Sequence, residues 1–262
     1  MNCMREAAGI LFFILPGLWG GSAFCQENGA AGSGPAPAVT AIEPAAVTPG
    51  FSGLLKIRGF KLADATAITF TGPEGVKAEI GERGVAAPVA GFELKEAGET
   101  RLEARLSVSA DAVPGRRTFV ITTPAGEVRE CHLEILSAEA GVAEKEPNDG
   151  FHEAQSVRPG QTVWGGIGKE KDVDVYRIEG GGKGKIILEI LGARLPSLLD
   201  AGLLLTDSSG ALVAMEDDGP DTRDPRIIIP PGQKGPLFLS VYDVNDHGGP
   251  WHGYQLIIRE EQ

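Results

Sequence analysis

Two β-sandwiches in series, the second jelly-roll-like, are the fold class this chain predicts, and three observations predict it. From about residue 40 onward, apolar residues recur with a period close to two, as in "RLEARLSVSA". The strand-length runs are separated by turn residues at regular intervals, as in "TPAGE" and "TDSSG". No amphipathic helix of ordinary length competes with this cadence. The result is an all-β protein.

The first residues are of another kind. "MNCMREAAGILFFILPGLWGGSAFCQ" places Arg5 before an apolar stretch that is too short, and too quickly ended by glycines, for a good membrane span. Residues 1–25 therefore read as an export signal, with a cut after Cys25 or after Ala23, and the mature chain starts near Gln26 without a transmembrane segment. Lipidation of Cys25 is the alternative, and the bulky Phe24 before it fits that poorly. Removal of the signal also removes Cys3 and Cys25. Cys131 is then alone in the mature chain, and the alternation of "RECHLEIL" makes it a small buried strand residue rather than a nucleophile.

Residues 26–39, rich in Gly, Ala and Pro, read as a flexible linker. The first folded unit spans residues 40–137. "FSGLLKIRGF", "AITFTGPEG" and "RLEARLSVSA" supply strands, and "DAVPGRRTFVITTPAGEVRECHLEIL" supplies two more across a tight turn. Residues 75–100 depart from the compact pattern and read as an irregular excursion. The second unit spans residues 138–262. After a charged, Pro-containing boundary come "QTVWGGI", "DVDVYRIEG", "GKIILEILG", "AGLLLTDSSGALVAMED", "PRIIIPPG", "GPLFLSVYDV" and "GYQLIIRE". In "TDSSG", Asp207 is expected to bond its local backbone and Gly210 to take positive φ.

A formal net charge of −12 argues against nucleic acid as a partner, because a phosphate backbone needs a contiguous basic surface. Acidic residues instead gather at two places. "EKEPND" holds Glu144, Glu146, Asn148 and Asp149, and "DVDVY" holds Asp172 and Asp174 at a strand start. Calcium takes six to eight oxygens in flexible geometry, so carboxylates and an Asn side chain from two segments are suited to enclose it. The competing reading is a solvated linker with an Asx turn and two aspartates that hold a bend. The other acidic stretch, "MEDDGPDTRDPR", lacks calcium-loop spacing and reads as an exposed loop whose arginines pair with its acids.

Catalytic motifs are not apparent. There is no GxSxG elbow, no HExxH and no phosphate-cradling glycine loop, so an enzyme is not expected. The loop "DVNDHGGPWHG" concentrates Asp243, Asp246, His247, Trp251 and His252, and reads as a binding patch with one aromatic anchor and a polar rim. Packing of Trp251 into the core is the alternative.

Residues 40–137 resemble the IPT/TIG family of immunoglobulin-like domains, through "IEPAAVTPGFSGLLKIRGFKLADATAITFTG" and "VPGRRTFVITTPAGEV". Residues 144–259 resemble the bacterial pre-peptidase C-terminal domain, related to the collagen-binding domains of collagenases, from "EPNDGFHEAQSV" through "GQTVWGGIGKEKDVDVYRI" to "GYQLII". The second resemblance implies a calcium-stabilised β-sandwich in an exported protein. Positions matching Glu144, Glu146, Asn148, Asp149 and Asp174 hold calcium in the collagenase relatives. A further acidic ligand of theirs is replaced here by Lys171 followed by Asp172, so Asp172 substitutes for it or Lys171 weakens the site. The function expected is an exported, non-enzymatic accessory protein that binds an extracellular protein or polysaccharide. A structural spacer or surface-assembly component without a dedicated ligand is the alternative.

Overall fold

The computed structural model describes residues 36–137, 141–179 and 183–262, so the expected signal segment and most of the expected linker lie outside the described residues. No helix among the described residues is long and apolar enough to cross a membrane.

The amino-terminal strands are β1 (Ala38–Glu43), β2 (Ala46–Val47), β3 (Ser52–Phe60), β4 (Ala67–Thr71), β5 (Val76–Val85), β6 (Thr100–Val108), β7 (Gly115–Thr123) and β8 (Gly126–Ile135). They form two sheets, ordered β1-β3-β6-β5 and β2-β8-β7-β4. In β6, Leu102, Ala104, Leu106 and Val108 point inward and are buried, while Arg105 and Ser107 between them stay exposed. They meet Leu55, Ile57, Phe119, Ile121 and Leu133 in one core. Each such side chain contributes about 1.5–3 kcal/mol through removal from water, which is why the alternation fixes the register. Cys131 is buried in β8, as expected of a small strand residue.

Two expectations are corrected here. β1 begins at Ala38, inside the stretch read as linker. Its residues are small, so the run looks unstructured, yet Val39 and Ala41 are fully buried against β3 across a bulge. Secondly, the stretch read as an excursion opens with a regular ten-residue strand, β5, paired along β6. Its register shifts between Ile80 and Arg83, and its outward residues are solvated at a sheet edge, which breaks the alternation. Only residues 86–98 are irregular, and they include a single helical turn, α1 (Leu94–Ala97).

The remaining strands are β9 (Gly141–Ala143), β10 (Gln155–Val157), β11 (Thr162–Gly166), β12 (Val173–Ile178), β13 (Lys185–Leu191), β14 (Ala201–Asp207), β15 (Leu212–Glu216), β16 (Arg226–Ile229), β17 (Leu237–Asp243) and β18 (Gly253–Glu261). They form two five-stranded sheets, β10-β12-β17-β14-β15 and β16-β13-β18-β11-β9, around a second core that includes Tyr176, Leu188, Leu203, Leu239 and Leu256. The architecture is thus all-β, with two groups of sheets and a core inside each. The sheet orders are those of open sheets and do not by themselves make a closed jelly roll.

Turn chemistry matches the residues. The Asp207 carboxylate accepts the amides of Ser209 and Ala211, and Gly210 has φ of 82°. Within the acidic loop, the expected pairing of Arg223 and Arg226 with their neighbours is replaced by a longer-range arrangement. Asp224 is 1% exposed and accepts the amides of Gly192, Ala193 and Arg194 together with Arg194 Nε. Arg223 approaches Asp200 instead.

Candidate metal centre

The segment before the second sandwich is fastened to it rather than hanging between the two. β9 lies parallel to β11, and the Glu144 amide donates to the Trp164 carbonyl at 2.9 Å. This delivers Glu144 to the sheet. Its Oε2 accepts the Gly166 amide at 2.9 Å, and its Oε1 accepts Asn148 Nδ2 at 3.0 Å, Tyr176 OH at 3.0 Å and Tyr254 OH at 3.2 Å. Asn148 is fully buried, and its carbonyl accepts the Val175 amide of β12 at 2.8 Å.

The second segment is set by a close loop crossing. A Cβ on Gly248 would sit 1.9 Å from the Lys169 carbonyl, so only glycine lets these two loops touch, and the Lys171 amide donates to the Asp246 carbonyl. Asp172 then closes its turn by accepting the Gly168 amide at 2.7 Å, and Asp174 follows inside β12. Asp172 is 3% exposed and Asp174 fully buried.

The structure brings all six acidic and amide residues of the two motifs to one place. Oxygens of Glu144, Glu146 and Asp174 lie within 4.8 Å of one another, as do those of Glu146, Asp149 and Asp172, so Glu146 joins the two groups. Two buried oxygens here lack partners, Asn148 Oδ1 and Asp174 Oδ1, while Asp172 Oδ1 is met only by the largely exposed Lys169 ammonium. Unpaired buried oxygens of this kind cost free energy unless something electropositive meets them. The donor set is oxygen throughout and fits a hard cation such as calcium.

The electrostatics agree. Burial, followed by the neighbouring Glu144 carboxylate, pushes Asp174 up to about 9. Burial and then the charges of Glu144 and Asp172 raise Glu146. Burial also lifts the phenols of Tyr176 and Tyr254 well above their ordinary range, so both hydroxyls stay protonated and act as donors. Tyr254 OH donates to Asp174 Oδ2 at 2.6 Å. The lysine that reaches the cluster is Lys169, whose Nζ lies 3.3 Å from Asp172 Oδ1 and 3.5 Å from Asp149 Oδ2. Lys171 is exposed. Lys169 is itself largely exposed, so its ammonium can leave for water when a divalent ion arrives.

A pH dependence follows for the metal-free protein. Asp174 is raised on folding, so its contribution to stability is complete below the unfolded value near 4 and is lost as pH rises through about 9. Melting temperature in chelator should therefore fall between about pH 5 and pH 9, and Asp174→Asn should flatten that slope. A melting temperature that rises over this range would contradict the assignment.

Much of the second expected patch is engaged by internal contacts. Asp243 is 2% exposed and spends its carboxylate on the amides of Asp200, Asn245 and His247. His252 is fully buried, and His247 is partly buried against Phe92 of the first sandwich. Trp251 is partly buried, with its carbonyl accepting the Leu198 amide, and Asp246 alone among the five is exposed. This engagement has a physical cause: buried amides and an aromatic ring from a distant loop use the groups that a glycine-rich sequence suggests are free.

No protein-family model matches the chain, and no curated protein matches it. Solved structures do show likeness. The pre-peptidase C-terminal domain of collagenase from Bacillus anthracis is 18% identical with a TM-score of 0.33, covering 44% of this chain and 100% of that domain. The secreted serine protease VesC from Vibrio cholerae is 12% identical with a TM-score of 0.28, over 85% of this chain and 51% of the protease. The mixed-linkage glucan utilisation protein SGBP-B of Bacteroides ovatus, solved with a heptasaccharide, is 8% identical with a TM-score of 0.25, over 81% of this chain and 71% of that one.

Proposed function

We propose that this chain is an exported, non-enzymatic accessory protein whose second sandwich, residues 138–262, is locked by calcium at its entrance and engages an extracellular protein or polysaccharide. The first sandwich, residues 40–137, presents it. One observation carries the metal part of this reading: two partnerless buried oxygens, on Asn148 and Asp174, lie among carboxylates drawn from two segments. Glu144, Glu146, Asn148, Asp149, Asp172 and Asp174 would hold the ion. Bound calcium supplies charge neutralisation and ties the entering segment to β12, a structural rather than a catalytic role.

Terbium replaces calcium in oxygen sites and emits when a nearby aromatic ring is excited. The hydroxyls of Tyr176 and Tyr254 both reach Glu144, so sensitised terbium emission is expected from the mature chain and should be displaced by calcium. Asp174→Asn should lose at least tenfold in terbium affinity. Emission that calcium does not displace would reject the site.

A spacer or surface-assembly role without a dedicated ligand is the second reading. The observation that favours it is the engagement of the 243–252 loop by internal contacts.

A further inference from the structure

One of the contacts between the two sandwiches is a small plug. Gly91 and Phe92, in the irregular segment of the first sandwich, lie on the 247–252 loop of the second. The Phe92 ring centroid is 5.0 Å from that of His247 and 5.7 Å from that of His252. Gly91 has φ of 79°, and a Cβ there would fall 2.0 Å from His247 Nε2, so the loop tip rests directly on the imidazole. A second tie is the Ile42 amide donating to the Pro196 carbonyl at 3.0 Å. The plug is itself braced: Arg58 Nη1 donates to the Ala87 carbonyl, and the Phe92 amide closes a turn onto the Val89 carbonyl.

His252 is the unusual member of this junction. It is fully buried, and neither ring nitrogen makes a well-formed hydrogen bond, the Gly249 backbone offering only a weak one. An imidazolium there brings a second N–H donor and a charge that water cannot reach.

We propose that the Phe92 plug is an acid-released latch, in which protonation of His252 parts the two sandwiches. The groups around His252 determine the balance. From the second sandwich, the Asp243 carboxylate and the Gly249 backbone attract a proton and His247 opposes it. From the first sandwich the ring of Phe92 faces it. Burial is the largest influence and holds His252 below the usual imidazole range, with Asp243 and Gly249 restoring only part. Exposure on opening removes that penalty, so protons favour the open arrangement. A rotation at the junction would leave both sandwich cores intact, because each is complete within its own sheets.

The test uses the mature chain at low concentration, followed by small-angle scattering and by imidazole nitrogen NMR between about pH 8 and pH 5. The wild type should expand reversibly on acidification, with a midpoint that tracks the His252 titration. Phe92→Ala should be extended throughout and should raise the His252 midpoint by about one unit, a tenfold change in proton affinity. His252→Phe should stay compact at every pH. Thermal melts report that each sandwich remains folded in every variant; if Phe92→Ala does not fold, the comparison of wild type with His252→Phe and His252→Gln stands by itself. A wild-type scattering curve that is unchanged across this range overturns the proposal. So does equal expansion of the wild type and His252→Phe.

Discussion

Calcium added to the chelated mature chain is expected to raise the melting temperature of the second sandwich by about 10 °C. At a hundredfold excess over its dissociation constant, a ligand specific to the native state contributes about 2.7 kcal/mol, and a domain of this size moves by about 4 °C per kcal/mol. The carboxylates explain the direction. Without the ion, Glu144, Glu146, Asp149, Asp172 and Asp174 crowd one centre, and burial keeps Asp174 protonated far above its ordinary range. Bound calcium would displace that proton, replace the Lys169 ammonium at Asp172 and meet the unpaired oxygens of Asn148 and Asp174. Asp174→Asn separates this account from a merely structural one. The amide retains an oxygen that can accept from Tyr254, whose hydroxyl lies 2.6 Å from Asp174 Oδ2, while the charge is lost. The variant should equal or exceed the chelated wild type in stability and should gain almost nothing from calcium. If calcium leaves the wild-type melting curve in place, or stabilises Asp174→Asn equally, the carboxylates are not a calcium centre. Asp174→Ala would be a poorer probe, because it also strips Tyr254 of its acceptor.

The parts of this molecule that are legible in its sequence are those governed by near neighbours along the chain. In β6 and β18 the inward side chains alternate without interruption, so periodicity alone places them. β1 and β5 escape because small residues in one, and a bulge in the other, hide the same alternation. The candidate metal centre divides in the same way. Glu144 to Asp149 and Asp172 to Asp174 are two compact motifs whose residue types already suggest oxygen ligation. Their supporting partners are not legible. Tyr176 and Tyr254 sit in ordinary core patterns, and nothing local shows that both hydroxyls reach Glu144, which lies 32 and 110 residues away in the chain. Lys171 attracted attention because it adjoins Asp172, yet a backbone with φ of 61° at Lys171 separates the two, and Lys169 is the residue that makes the ion pair. The internal contacts of the 243–252 loop are hidden for the same reason. Asp243 and His252 look solvent-facing in a run of glycines, and only folding shows the amides and the Phe92 ring that occupy them.

Arg58→Met is expected to destabilise the first sandwich by about 2–3 kcal/mol, a large share of the about 5–15 kcal/mol that holds a domain folded. Arg58 lies in β3 at 2% exposure and reaches across to the irregular segment rather than into water. Its Nε donates to the Ala97 carbonyl at 2.8 Å, Nη1 to Ala87 at 2.7 Å and Nη2 to Gly98 at 2.8 Å. The guanidinium is the anchor of residues 86–98, which have few ladder hydrogen bonds of their own. Thr40 Oγ1 also donates to the Ala97 carbonyl at 2.6 Å and Ala87 is exposed, so methionine would orphan mainly the buried Gly98 carbonyl. Such an orphan costs about 1–3 kcal/mol when buried. Methionine keeps much of the side-chain volume, so the measured loss reports the hydrogen bonds rather than a cavity. Arg58→Lys should fall between, because one ammonium on a flexible stem cannot satisfy carbonyls in a fixed fork. Chemical denaturation of the mature chain in calcium, with the second sandwich as an internal reference, separates the two transitions. A loss under about 1 kcal/mol for Arg58→Met would show that residues 86–98 are held by other contacts. The variant also bears on the junction, since the segment that Arg58 anchors carries Phe92: a first sandwich that stays folded but loosens here should release the latch at neutral pH.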